Sequence, residues 1–138
     1  MENFFEGKAI KSNGIYNVSA NQAEQLCKKG AVMVDVREDY LNRFKVFDVP
    51  MLIFCPKKQL VEKWNELPTD KPIIIADASG IHSPEAVKSL ISFGFSGEVA
   101  NLSGGLVEWE HSGLPILINY EERLSGQCVC QLKPREKK

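Results

Sequence analysis

Apolar residues along this chain gather into short, nearly unbroken runs separated by stretches of helical period. AVMVDV at residues 31–36, VPMLIFC at 49–55, IIIA at 73–76 and EVANL at 98–102 read as strands covered on both faces. Between them the spacing changes to that of helices. Ser19 with Gln22 forms a capping-box pattern, Ala23, Leu26 and Cys27 share one face, and Gly30 stops the segment. After Pro56, Leu60, Val61, Trp64 and Leu67 fall on one stripe, and after Ser83-Pro84-Glu85 so do Val87, Leu90 and Ile91 before Gly94. Ser83 is expected to cap that helix. A last helix follows Gly104-Gly105, with Trp109 packed and Gly113 terminating it. This alternation predicts an α/β fold, a doubly wound parallel sheet with helices on both faces, burying Val32, Val34, Ile73, Ile74, Ile75, Val99, Leu102 and Trp109. Residues 1–14 have no clean period and contain Gly7 and Ser12-Asn13-Gly14, so they read as a loosely attached arm. The domain is expected over 15–118, with a tail over 119–138.

Composition adds mainly exclusions. With 138 residues, 43% hydrophobic, 25% charged and a net charge of −1, the chain fits one domain and carries no field that would select nucleic acid or an anionic membrane. Its longest apolar run, residues 51–55, is far short of the ~20 residues needed to span a bilayer. The opening MENFFEGK lacks a basic segment followed by an apolar one, which points to a cytoplasmic protein with its four cysteines reduced. Cys27 and Cys55 sit at apolar positions and read as core fillers. Cys128-Val129-Cys130 is spaced to chelate a soft metal, close a strained disulfide or relay a persulfide, or to be simply two reduced thiols. Two thiolates fill only half of a tetrahedral site, so neither a metal nor a cofactor is expected. The basic run over residues 133–138 reads as a solvated tail, and His111 as a favourable cation at a helix end.

The candidate chemistry lies in IIIADASGIHSPEA, residues 73–86. In an open α/β sheet, ligands bind beyond the carboxyl ends of strands, where loops enter helix N-termini. Ala78, Ser79, Gly80, Ile81 and Ser83, with Gly80 permitting positive φ, would turn successive N–H groups inward as an anion cradle. The simpler alternative is a tight turn in which Asp77 caps the loop amides.

From Ile15 to Ile116 the chain resembles the rhodanese-like family. The resemblance is carried by VDVRE at residues 34–38, DASGIHS at 77–83, Gly94-Phe95, NLSGGLVEW at 101–109 and GLP at 113–115. In active members the loop begins with a cysteine, which carries a persulfide, and holds an arginine next to its final serine. The resemblance places Asp77 at the cysteine position and His82 at the arginine position, with Gly80 and Ser83 keeping the pattern. The loop length is the sulfurtransferase type, one residue shorter than in the phosphatases and arsenate reductases of the same superfamily. Asp35 and Arg37 match a pair that braces the sheet near the loop. The family's Gly-His-Ile-Pro-Gly-Ala segment has no counterpart between Tyr40 and Pro56.

A carboxylate in the cradle has no sulfur to load and, stabilised as the anion, is a poor nucleophile. An aspartyl nucleophile of the phosphatase kind needs a magnesium site of further carboxylates, and only Asp35 offers itself. The resemblance therefore implies a rhodanese-like domain without conventional thiosulfate sulfurtransferase activity, acting as a binding or regulatory module for a protein or a small anionic ligand. The alternative is a sulfurtransferase or redox enzyme that uses Cys128 and Cys130 as sulfur carriers.

Overall fold

The computed structural model describes Phe5, Gly7, residues 9–38 and residues 44–118. Among the described residues, eight strands and four α-helices follow one another: β1 (Ile10–Ser12), β2 (Ile15–Val18), α1 (Ala20–Lys28), β3 (Val32–Asp35), β4 (Lys45–Phe47), β5 (Leu52–Phe54), α2 (Leu60–Lys63), β6 (Ile73–Ala76), α3 (Ser83–Phe93), β7 (Val99–Leu102), α4 (Gly105–His111) and β8 (Ile116–Ile118). The main sheet has the order β1-β2-β7-β6-β3-β5. Every pairing in it is parallel except that of the edge strand β1 with β2. The expected α/β fold with a parallel sheet and helices on both faces is found, with β1 added as one antiparallel edge strand. Asn13 at φ 56 and Gly14 at φ 82 form the two-residue connection that turns β1 back on β2.

Strand residues alternate between two cores. Met33, Ile74, Ala76, Ala100 and Leu102 pack against α1 and α4, while Val32, Val34, Ile73, Ile75 and Val99 pack against α2 and α3. Both faces are covered, as the continuous apolar runs require. All eight residues expected to be buried are so. Two expected inward residues are not: Val61 is 59% and Ile91 51% exposed. Ile91 sits at the edge of the stripe on α3. Val61 is exposed because the expected helix after Pro56 is broken into a 3-10 turn (Lys57–Gln59), the single turn α2 and a second 3-10 turn (Trp64–Glu66), which rotates the stripe.

Within the stretch 1–14, Ile10 pairs with Asn17 across the hairpin and Phe5 is fully buried, 6.2 Å from the Tyr16 ring. A second, two-stranded sheet joins β4 to β8 in antiparallel register, Phe47 opposite Ile116. Runs of three residues are too short to announce themselves by pattern. That small sheet is held to the body by Trp109, which is fully buried, meets Phe47 edge-on at 5.2 Å and donates Nε1–H to the Pro115 carbonyl at 2.8 Å.

Replacing Trp109 by Ala should cost about 3–5 kcal/mol in a urea titration, the usual range for emptying a buried aromatic site. Trp109→Phe, which keeps a ring but removes one of the two donors to the Pro115 carbonyl, the other being the Asp48 N–H at 3.1 Å, should cost less, about 0.5–1.5 kcal/mol.

Cys27 and Cys55 are free, buried thiols. Burial, with a smaller contribution from Glu24, pushes the Cys27 thiol up from 9.0 to about 12. Burial also raises Cys55, with Lys63 opposing and Glu66 adding to the effect. An acid whose folded pKa is raised favours folding fully below its unfolded value and loses that contribution as pH climbs through the folded one. The stability difference between wild type and Cys27→Ala, measured by thermal melts, should therefore shrink as pH rises from 9 toward 12. Below pH 9 the wild-type Cys27 should resist alkylation until the chain is unfolded.

Candidate functional site

The carboxyl end of β6 delivers Asp77 into the mouth of α3. Its side chain is buried at 3% exposure and is surrounded by donors. The N–H of Gly80 donates to Oδ1 at 2.5 Å, and those of His82 and Ser83 donate to Oδ2 at 2.7 and 3.1 Å. The last two belong to the start of α3, so Asp77 supplies the capping oxygen that satisfies the helix's first amides. The Ser83 hydroxyl, expected as the cap, is used elsewhere. It lies 3.3 Å from Asp77 Oδ1 and in short contact with Asn101 Oδ1, and gives its one proton to either. His82 occupies the cap position with no side-chain hydrogen bond there, and Pro84 falls in the first turn, where its missing N–H costs nothing.

The loop's carbonyls are tied down as firmly as its amides. Leu106 N–H donates to the Asp77 carbonyl and Val107 N–H to that of Ala78, each at 2.9 Å, so the first turn of α4 holds the outer rim of the loop. Glycine is required at two places here. At Gly80, φ is +86° and an added Cβ would lie 2.7 Å from the Gly104 nitrogen. At Gly105, φ is +59° and a Cβ would meet the Asp77 carbonyl oxygen and come within 2.7 Å of the Ala78 carbonyl carbon.

Behind the cradle a polar line runs through the sheet. Asn101 on β7 takes the Ser83 contact on Oδ1 and donates Nδ2–H to Asn17 Oδ1 at 2.9 Å; Asn17 Nδ2 then donates to the carbonyls of Ile10 and Ile15, each at 3.2 Å. Sequence reasoning misses Asn101, although a lone amide inside a buried apolar strand is its signal. Asn17 lies in a strand too short to read.

Asp35 and Arg37 form a buried pair at the end of β3. The guanidinium reaches Asp35 from Nε at 3.0 and 3.2 Å and from Nη2 at 2.7 Å, and Nη2 also donates to the Lys45 carbonyl at 2.8 Å. It thereby fixes β4 to the main sheet. Next to this pair and to Asp77 opens a cavity of about 370 Å³ lined by Val36, Arg37, Glu38, Lys57, Asp77, Ala78 and His82. Lys57 bonds the exposed Glu85 at 3.0 Å, and this ion pair holds the Glu85 carboxyl below its ordinary range.

Of the remaining expected loop residues, Ala78, Ser79 and Ile81 are outward and exposed. Cys128 and Cys130 lie outside the described residues. Among the described residues no three His, Cys, Asp or Glu side chains gather as a metal site, and no helix is long and apolar enough to cross a membrane.

A mostly parallel sheet, sandwiched by helices and bearing between a strand and a helix a loop whose amides close on the Asp77 carboxylate, defines an α/β domain. The family model of the rhodanese-like domain matches residues 19–112, and the chain belongs to that family. A rhodanese-like domain-containing protein of Arabidopsis thaliana is 29% identical over 122 residues, 78% of this chain and 76% of that one. A thiosulfate sulfurtransferase of Pseudomonas syringae is 29% identical over 92 residues, 67% of this chain and 84% of that one. Among solved structures, a rhodanese-related protein of Thermoplasma volcanium superposes with a TM-score of 0.66 at 26% identity, covering 75% of this chain and 98% of that one. The chain is thus related to sulfurtransferases by sequence and by fold.

Asp77→Ala leaves three N–H donors facing an empty cradle. It should lower stability by about 1–3 kcal/mol, and sulfate should restore part of that loss in thermal melts because the oxyanion replaces the missing acceptor. A variant as stable as wild type and indifferent to sulfate would show that the amides do not depend on the carboxylate.

Proposed function

We propose that this is a rhodanese-like domain without conventional thiosulfate sulfurtransferase activity, in which Asp77 stands at the position of the family's persulfide cysteine and His82 at that of its arginine. The observation carrying this reading is that the Asp77 carboxylate accepts the N–H groups of Gly80, His82 and Ser83. The donors that a persulfide or substrate anion would need are already engaged. A carboxylate bound by three amides has no sulfur to load, is stabilised against acting as a nucleophile, and repels thiosulfate from the same point. The domain then serves as a binding or regulatory module, recognising a protein or a small anionic ligand through the cavity beside Asp77. Two buried, unpaired thiols, Cys27 and Cys55, agree with a reducing compartment such as the cytoplasm.

The test is Asp77→Cys. The cradle is made by backbone amides, Gly80 and the α3 terminus, all of which the swap leaves in place, and these favour a thiolate. Purified wild type should give no turnover of thiosulfate and cyanide dependent on Asp77, whereas Asp77→Cys should acquire a persulfide on residue 77 and measurable turnover. Wild-type turnover abolished by Asp77→Ala would overturn the proposal. A folded Asp77→Cys protein inert to thiosulfate would show that His82 does not replace arginine and that the loop differs from the family's by more than one atom group.

A further inference from the structure

Between α3 and the β1–β2 hairpin opens a second cavity, of about 330 Å³, which shares no lining residue with the one beside Asp77. Its origin lies in the width of the sheet. Helix α3 packs over β6 and β7 and leaves the same face of the hairpin beside it open. Ile10 stands opposite Asn17 and Ser12 opposite Ile15 in the hairpin register, so these four side chains share that face. Ile15 belongs to the core under α3, whereas Ile10 is 75% exposed. Pro84 and Lys88, one turn apart on α3, make the facing wall, and Ser103 at the end of β7 closes the cavity.

The lining holds one cation, Lys88, and no acid. Cations beside Asp77 are already engaged, Arg37 with Asp35 and Lys57 with Glu85. Lys88 has no ion pair among the described residues and acts on Glu85 only from beyond ion-pair distance. The side chains of Ser12, Asn13 and Ser103 likewise make no hydrogen bond among the described residues. Asn17 differs from them, since its Nδ2 donates to the carbonyls of Ile10 and Ile15 and its Oδ1 accepts from Asn101, which makes it a fixed wall. Uncommitted donors beside an unpaired cation, over an apolar floor of Ile10, Ile15 and Pro84, suit a negative head joined to an apolar body. The cavity's volume falls within the range of small-molecule sites, about 300–1,000 Å³.

We propose that this cavity is a second binding site, for a small organic anion consisting of a carboxylate on a short aliphatic chain. Lys88 meets the carboxylate, and the hydroxyls of Ser12 and Ser103 and the Asn13 amide donate to its oxygens. A single unpaired cation matches a single negative charge, whereas a dianion such as a phosphate monoester would bring one charge that nothing in the lining balances. The chain lies on Ile10 and Pro84, and each methylene laid there tightens binding about two- to fourfold. An anion without an apolar body gains only the head contacts. The site stands apart from Asp77, so it holds whether or not the loop has lost its chemistry.

The experiment is a titration of the isotope-labelled full chain with butyrate, followed by backbone amide NMR shifts at constant pH and ionic strength. Saturable shifts at Ser12, Ile15, Lys88 and Ser103 are expected, with a roughly millimolar Kd for so small a ligand. Acetate, two methylenes shorter, should bind about four- to sixteenfold more weakly, and butylamine, of like length and opposite charge, should not bind. Lys88→Glu, a change at an exposed position that leaves the core intact, should weaken butyrate at least tenfold, while Lys71→Glu, the same change of charge at a site outside this cavity, should leave its affinity unchanged. Absence of saturable shifts, equal binding of acetate or butylamine, full affinity in Lys88→Glu, an equal loss in Lys71→Glu, or shifts gathered at Gly80 and His82 instead would each overturn the proposal.

Discussion

Backbone amides that converge on one buried point must find an acceptor, and the rest of this site follows from that requirement. The loop from Asp77 to Ser83 turns the N–H groups of Gly80, His82 and Ser83 toward a single position. An unmet buried donor costs about 1–3 kcal/mol, so three of them together would put the loop's conformation at risk. The carboxylate meets all three with two oxygens and lies where the first turn of α3 is most electropositive. A side chain that counts as a loss when judged by sulfur chemistry is a stabilising part when judged by hydrogen bonding. Both descriptions concern the same atoms.

The buried Asp35–Arg37 pair meets a similar demand by other means. Two desolvated charges gain little net stability over an apolar pair, yet removing one of them would leave its partner stranded, a loss of about 3–5 kcal/mol. Here the pair also has a positional use, because Arg37 bonds the Lys45 carbonyl and stacks 6.0 Å from the Phe47 ring, joining the small β4–β8 sheet to the large one.

Much of this is legible in the residues. Continuous apolar runs mark β3, β6 and β7, and their burial on both faces follows. The loop is legible because a strand, Gly80 and the Ser83-Pro84-Glu85 opening signal its geometry in order. What cannot be read depends on partners distant in sequence. β1, β4 and β8 are three residues each and exist through pairing, not propensity. The use of Ser83 as a link to Asn101, eighteen positions away, instead of as a helix cap is a tertiary choice that local preference does not contain. The contacts of Gly104 and Gly105 with the loop belong to the same kind, since the pair reads as a simple turn until Asp77 is seen lying against it.

The attachment of the loop by both its edges has a mechanical meaning. Its carbonyls are bonded to α4, which packs on one face of the sheet, and its amides and carboxylate to α3, which packs on the other. The loop is therefore a rivet through the sheet's end, tying two otherwise separate layers into one cooperative unit. Neither helix can fray from its N-terminus without loosening the other's grip on the same few peptides. Rigidity at this point comes from backbone bonds on the α4 side and from the Asp77 carboxylate on the α3 side, so the side chain of residue 77 is itself one end of the rivet.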